Sequence, residues 1–152
     1  MSSDFTVELT PTAERVYERA FEEARECVNR GDATNAKVKR FRMIQEALDT
    51  IIPHEPFQPK RALSGALAKI YRVRKGRIRI CYIGRSDQKR IIVIYISDTP
   101  RKEGDSSDPY AVLSRMLRSG DCDTFFDDLG IPFPKNLAAA ASAGAFPTPP
   151  LQ

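Results

Sequence analysis

The chain has 152 residues, 41% hydrophobic and 29% charged, with a net charge of +4. That length suits one domain that buries about two-thirds of its unfolded surface, so a core needs no disulfides. The three cysteines, Cys27, Cys81 and Cys122, form no CxxC and no Cys/His cluster, which argues against a zinc site and for reduced thiols.

The N-terminus MSSDFTVELT has neither a basic n-region nor an apolar h-region. The longest strongly apolar run, Ile91 to Ile96, falls far short of the ~20 residues of a spanning helix. The expectation is a cytoplasmic protein without membrane contact. The modest net charge hides an asymmetry. Lys60 to Lys102 holds thirteen Lys/Arg against two Asp, or +11, while the remainder holds eleven against eighteen acids, or −7. A basic block inside predicted strands is the footprint of a polyanion binder; a solvated charged face is the plainer alternative.

In chain order, Phe5 to Leu9 alternates weakly and reads as a short strand. Thr10-Pro11 has the form of an N-cap followed by proline at the first helical position. Apolar residues at Ala13, Val16, Tyr17, Ala20, Phe21, Ala24, Cys27 and Val28 then keep helical spacing until Gly31. A second helix, capped by Asp32 or Thr34, turns Phe41, Ile44, Leu48 and Ile51 inward. Lys37, Lys39, Arg40 and Arg42 give it a basic outer side, and Pro53 stops it.

Three prolines from Pro53 to Pro59 predict an irregular loop. Strands are expected at about Lys69 to Arg74, Arg77 to Gly84 and Lys89 to Ser97. A two-residue Lys75-Gly76 turn joins the first pair, and Arg85 to Gln88 the second. Pro109 opens a helix to about Arg118, closed by Gly120, and an acidic stretch with Phe125 and Phe126 follows. From Pro134 the composition turns to Ala, Ser, Gly and Pro. That predicts one domain over 1–133 and a disordered tail over 134–152. The order β-α-α-β-β-β-α gives an α+β fold: an antiparallel sheet with two N-terminal helices packed on one face.

With a Lys75-Gly76 turn, Arg74 lies opposite Arg77 and Arg72 opposite Arg79, all four on one face. Tyr71, Val73, Ile78 and Ile80 lie on the other. Like charges directly opposite destabilise a strand pair by ~0.2–1 kcal/mol each. Folding gains nothing from this, whereas a phosphate backbone does, because guanidinium forks match phosphate and keep their charge. The alternative is that these arginines pass the sheet edge and pair with acids of the C-terminal part.

Catalytic sets are scarce. His54, the only histidine, sits in the proline loop, and no Ser/His/Asp, Cys/His or glycine-rich phosphate motif appears. Asp121, Asp123, Asp127 and Asp128 read as solvated charges flanking a helix. No metal or cofactor is expected, so an enzyme built here would stabilise a phosphorane with arginines.

The runs YRVRKGRIRICYIG, IIVIYISD and SSDPYAVLSRMLRSG resemble the RelE/ParE superfamily of bacterial toxin–antitoxin toxins, and more narrowly the YhaV-type toxins. The resemblance covers roughly Leu63 to Gly120. It implies a RelE-like fold and an endoribonuclease that cleaves mRNA, on ribosomes or free of them. It also implies a cognate antitoxin, in that family usually an AbrB-like swapped-hairpin protein. By position, Arg72 matches the arginine of the family's basic strand, Arg77 and Arg79 match the next strand, and Asp98 matches the strand-end acid. Tyr95 stands where the family has tryptophan and Ser97 where it has asparagine. Asp108-Pro109-Tyr110-Ala111-Val112 enters the helix where the family has an Asp-Ala-Tyr segment.

The expected mechanism is in-line attack of a 2′-hydroxyl on the adjacent phosphate, which Arg72, Arg77 and Arg79 hold. Asp98 is a base or a turn residue. Arg74, Lys69, Arg101 and Lys102 reach RNA, and Tyr71 and Tyr82 either stack a base or pack in the core. Two other readings stay open: a ParE-like gyrase poison that does no chemistry, and an inactive module binding RNA or antitoxin.

Overall fold

The computed structural model describes residues 5–63, 67, 69–97 and 109–134. Strand β1 (Thr6–Leu9) leads into helices α1 (Pro11–Asn29) and α2 (Ala36–Glu46). Strands β2 (Tyr71–Lys75), β3 (Ile78–Arg85) and β4 (Arg90–Ser97) follow, then helices α3 (Pro109–Arg118) and α4 (Asp123–Leu129). This is the expected α+β order with α4 added. The expected tail lies outside the described residues, apart from Pro134.

The start of α1 follows from its sequence. Thr10 is extended, its hydroxyl accepts from Ala13 N–H at 3.3 Å, and Pro11 takes the first position, where no N–H is needed. Gly31 at φ 82° ends the helix, with Asp32 N–H returning to the Cys27 carbonyl at 2.8 Å. The second helix is capped by Asn35, whose side chain accepts from Lys37 N–H at 2.9 Å; Asp32 instead holds the Asn35 amide. The expected caps, Asp32 and Thr34, are thus displaced by the residue nearest the first turn. Past Glu46 the backbone widens into a π-turn over Ala47–Ile51, with Ile52 N–H bonded to the Ala47 carbonyl. That spacing brings Ala47 and Ile52 into the core together.

The sheet order is β1-β4-β3-β2. The strand pairs β2/β3 and β3/β4 are antiparallel, but β1 joins β4 in parallel, so the sheet is mixed rather than antiparallel. The parallel pairing follows from the connection: a whole helical layer lies between β1 and the hairpins, and such a crossover returns the chain in the same direction.

Alternation along the strands sorts the side chains into two cores. One face carries Val73, Ile78, Ile80, Tyr82, Ile91 and Val93 against Ala13, Ala20, Ile44 and Ile52 of the α1/α2 layer. The other carries Cys81, Ile83, Ile92 and Ile94 against Tyr110, Leu113, Leu117, Phe126 and Leu129 of α3 and α4. Each fully buried Ile or Leu contributes about 1.5–3 kcal/mol relative to exposure. None of the described helices is long and apolar enough to cross a membrane. The three cysteines are buried and unpaired.

Candidate functional site

The basic hairpin turns one step later than expected. Lys75 pairs with Ile78, which leaves Gly76 and Arg77 as the two turn residues, with Gly76 at φ 59°. Arg74 therefore lies opposite Arg79, and Arg72 opposite Cys81. The expected pairs Arg74–Arg77 and Arg72–Arg79 do not form. The slip is two residues in register, an even number, so the facing survives: Arg72, Arg74 and Arg79 still share one face. Arg77 leaves it for the exposed tip.

A β-bulge between Cys81 and Tyr82 completes the site. There β4 carries an extra residue, so Cys81 pairs with Tyr95 and Tyr82 with Val93. The alternation of β4 flips at this point. Ile94 and Tyr95 both turn toward the α3 side, and Ser97 follows on the same face opposite Arg79. Tyr110, in the first turn of α3, packs in the core on this face and meets Arg72.

At the centre of the site Arg72 is 5% exposed, and its Nη1–H donates to the Tyr110 hydroxyl at 2.9 Å. No described carboxylate pairs with it, and no described acceptor meets its Nε. A buried cation in this state is costly unless an anion completes it. Arg79, half-buried, stands beside Cys81 on the same face.

The neighbours' proton chemistry is set by burial. It pushes the Cys81 thiol up to about 12, against the pull of Arg72 and Arg79, so this cysteine stays a thiol and is no nucleophile. Burial, with a smaller contribution from Cys81, also raises Tyr110 above the ordinary tyrosine range, while Arg72 opposes the shift. Tyr110 therefore keeps its proton while accepting from Arg72.

Other expected site residues lie elsewhere. Tyr82 is fully buried on the opposite face, where it donates to the Pro56 carbonyl and accepts from Arg61; burial pushes it up to about 12. Tyr71 stacks on it at 5.9 Å and meets Phe57 edge-on at 5.3 Å. Both pack in the α1/α2 core, the second of the two alternatives that the sequence left open, rather than on the arginine face. Lys69 is exposed just before β2, and His54 is exposed in its loop. Asp98, Arg101 and Lys102 lie outside the described residues. A groove of about 300 Å³ lined by Val7, Leu9, Glu14, Tyr17, Leu48 and Asp49 opens on the α1/α2 side and shares no residue with the arginine site.

Residues 7–131 match the model of the YhaV toxin family, described as a toxin with endonuclease activity, of a toxin–antitoxin system. The chain belongs to the YhaV toxin family. Among solved structures, this YhaV-family toxin is similar to a chain of the toxin–antitoxin complex RelBE2 from Mycobacterium tuberculosis. Identity is 18%, coverage is 64% of this chain and 92% of that chain, and the TM-score is 0.47. No curated protein matches it. The family membership makes the chain an endonuclease toxin with an antitoxin as its partner. The site residue that sequence reasoning missed is Tyr110. It stands in the helix-entry segment, but nothing in the sequence marks its hydroxyl as the partner of an arginine 38 residues earlier.

Proposed function

We propose that this toxin is an endoribonuclease that cleaves mRNA in the cytoplasm through a substrate 2′-hydroxyl, with Arg72 and Arg79 holding the scissile phosphate. The supporting observation is the buried Arg72, oriented by Tyr110 and without a carboxylate among the described residues. A phosphate is the anion that completes it. The 2′-oxygen forms a bond to phosphorus as the bond to the 5′-oxygen breaks. The 2′-proton leaves to a base, for which Asp98 at the strand end is the candidate, and the departing 5′-oxygen takes up a proton from water. The charge that builds on the non-bridging oxygens falls to the two guanidiniums, fixed in place before reaction.

Tyr110 acts by positioning. Its hydroxyl fixes the Arg72 fork, and its raised pKa keeps it protonated. The cognate antitoxin, of the AbrB-like type in this reading, silences the enzyme. A gyrase poison that does no chemistry draws no support from the family's endonuclease activity.

The test is primer extension on mRNA from cells in which the chain is briefly induced. Discrete new 5′ ends within minutes are expected, and their spacing relative to codons reports whether the ribosome takes part. Intact transcripts in growth-arrested cells would overturn the reading.

A further inference from the structure

Cations on this molecule divide into two groups. Some of those away from the β2–β3 turn have carboxylate partners among the described residues. Arg40 meets Glu23 at 3.4 Å, Arg85 meets Asp87 at 2.7 Å, and Arg90 meets both Glu8 and Asp128. At the turn itself Lys75 pairs with Glu46, but four cations around it do not pair. Arg74, Arg77, Lys39 and Arg42 are exposed, and none forms an ion pair among the described residues.

The fold sets the α2 stripe that carries Lys39 against the turn that carries Arg77, while Arg74 lies on the opposite face of the sheet. The turn rests on α2: a Cβ built at Gly76 would lie 3.3 Å from Met43 Sδ, and Lys75 pairs with Glu46 at 3.2 Å. Lys39, Met43 and Glu46 fall at i, i+4 and i+7, one stripe of the helix, and Arg42 adjoins Lys39 and Glu46 at i+3 and i+4 spacing. So the stripe that supports the turn continues past it as two cations. Arg77 occupies the turn itself, and Arg74 stands between the turn and Arg79.

We propose that Lys39, Arg42, Arg74 and Arg77 form a second contact for the RNA backbone, outside the cleavage pocket. They hold the single strand where it passes over the hairpin tip onto α2. The proposal rests on the ribonuclease reading and extends it. Four strand residues, about 13 Å, separate Arg72 from Gly76. A strand seated in the pocket thus reaches the tip within a few nucleotides. The four groups are charges without base-reading geometry, so the contact adds affinity and register but no sequence preference.

The experiment uses 2′-O-methyl RNA, which lacks the attacking hydroxyl and survives in the complex. Its affinity is measured by fluorescence anisotropy across about 50–200 mM salt. For a probe of ~12 nucleotides, K39A/R42A is expected to flatten the log–log salt slope by about 1.4, since each single-strand phosphate contact contributes about 0.7. A probe of ~4 nucleotides should bind both proteins alike, and K39R/R42K should restore the wild-type slope. An unchanged slope on the long probe overturns the inference. So does a loss confined to antitoxin affinity, which would make the patch an antitoxin surface. The probe is not cut, so the two readings fail separately. An unchanged slope in a protein that still cleaves natural RNA sinks only the second contact. Salt-dependent binding without any cleavage sinks the ribonuclease.

Discussion

Replacing Arg72 with methionine is expected to abolish growth inhibition and lower RNA cleavage by about 10²–10³-fold, the usual loss when one preorganised charge-stabilising donor is removed. The same change should leave the melting temperature unchanged or raise it. Arg72 is 5% exposed and has Tyr110 as its hydrogen-bond partner, with no described carboxylate. Methionine has a similar length, and replacing buried charge by apolar volume is often neutral or stabilising by about 1–4 kcal/mol. The two readouts together separate a catalytic arginine from a structural one. A fall of several degrees would mean that Arg72 holds β2 to α3. Cleavage within tenfold of wild type by a folded variant would remove Arg72 from the chemistry. Alanine at this position serves less well, because the cavity it leaves has its own cost.

Gly84→Ala is expected to destabilise the protein by about 3 kcal/mol, or roughly 6–12 °C in melting temperature at this chain length. Glycine inside a strand normally costs stability, and replacing it by alanine normally gains about 0.5–1 kcal/mol. Here the sign reverses. A Cβ at this position would lie 2.6 Å from the Arg90 carbonyl oxygen and 2.9 Å and 3.0 Å from two atoms of the Phe57 ring. The ring could turn aside, but the carbonyl is backbone of the neighbouring strand and moves only with β4. Phe57 also meets Phe5 and Tyr71 edge-on, so displacing it disturbs the joint where the proline loop crosses the sheet. Thermal melts of the variant decide the point: a shift smaller than about 2 °C would show that the strand yields at little cost.

The elements were legible because their signals are local. Thr10-Pro11, Gly31, Gly76 and Pro109 mark ends that the backbone obeys. The facing of Arg72, Arg74 and Arg79 was legible as well, since a period of two survives any even slip in register. The register itself was not. Both Lys75-Gly76 and Gly76-Arg77 supply a glycine for a two-residue turn. Packing of Gly76 on Met43 and of Lys75 on Glu46, contacts from another layer, accompanies the second. The role of Tyr82 was open for the same reason. A tyrosine in a strand suits either a ligand face or a core, and the Pro56 carbonyl and Arg61 that satisfy its hydroxyl lie in a loop without periodicity. The parallel pairing of β1 and the bulge in β4 are likewise decided between segments far apart in the chain.

Arg90 ties β1, β4 and α4 to one another. Its guanidinium reaches Glu8 at 3.0 Å, 82 residues back along the chain, and Asp128 at 2.9 Å, 38 residues ahead. The β2–β3 and β3–β4 hairpins close over short loops, whereas β1 must enclose the whole helical layer before it pairs. Loop-closure entropy therefore orders assembly, with the hairpins first and β1 last. Pulsed hydrogen exchange during refolding should protect β3 amides before those of Thr6–Leu9; the reverse order would refute this. For a growing chain the consequence is one of timing. Of the three groups Asp128 is made last, so the Glu8–Arg90 half of the clamp can form before α4 adds the other half.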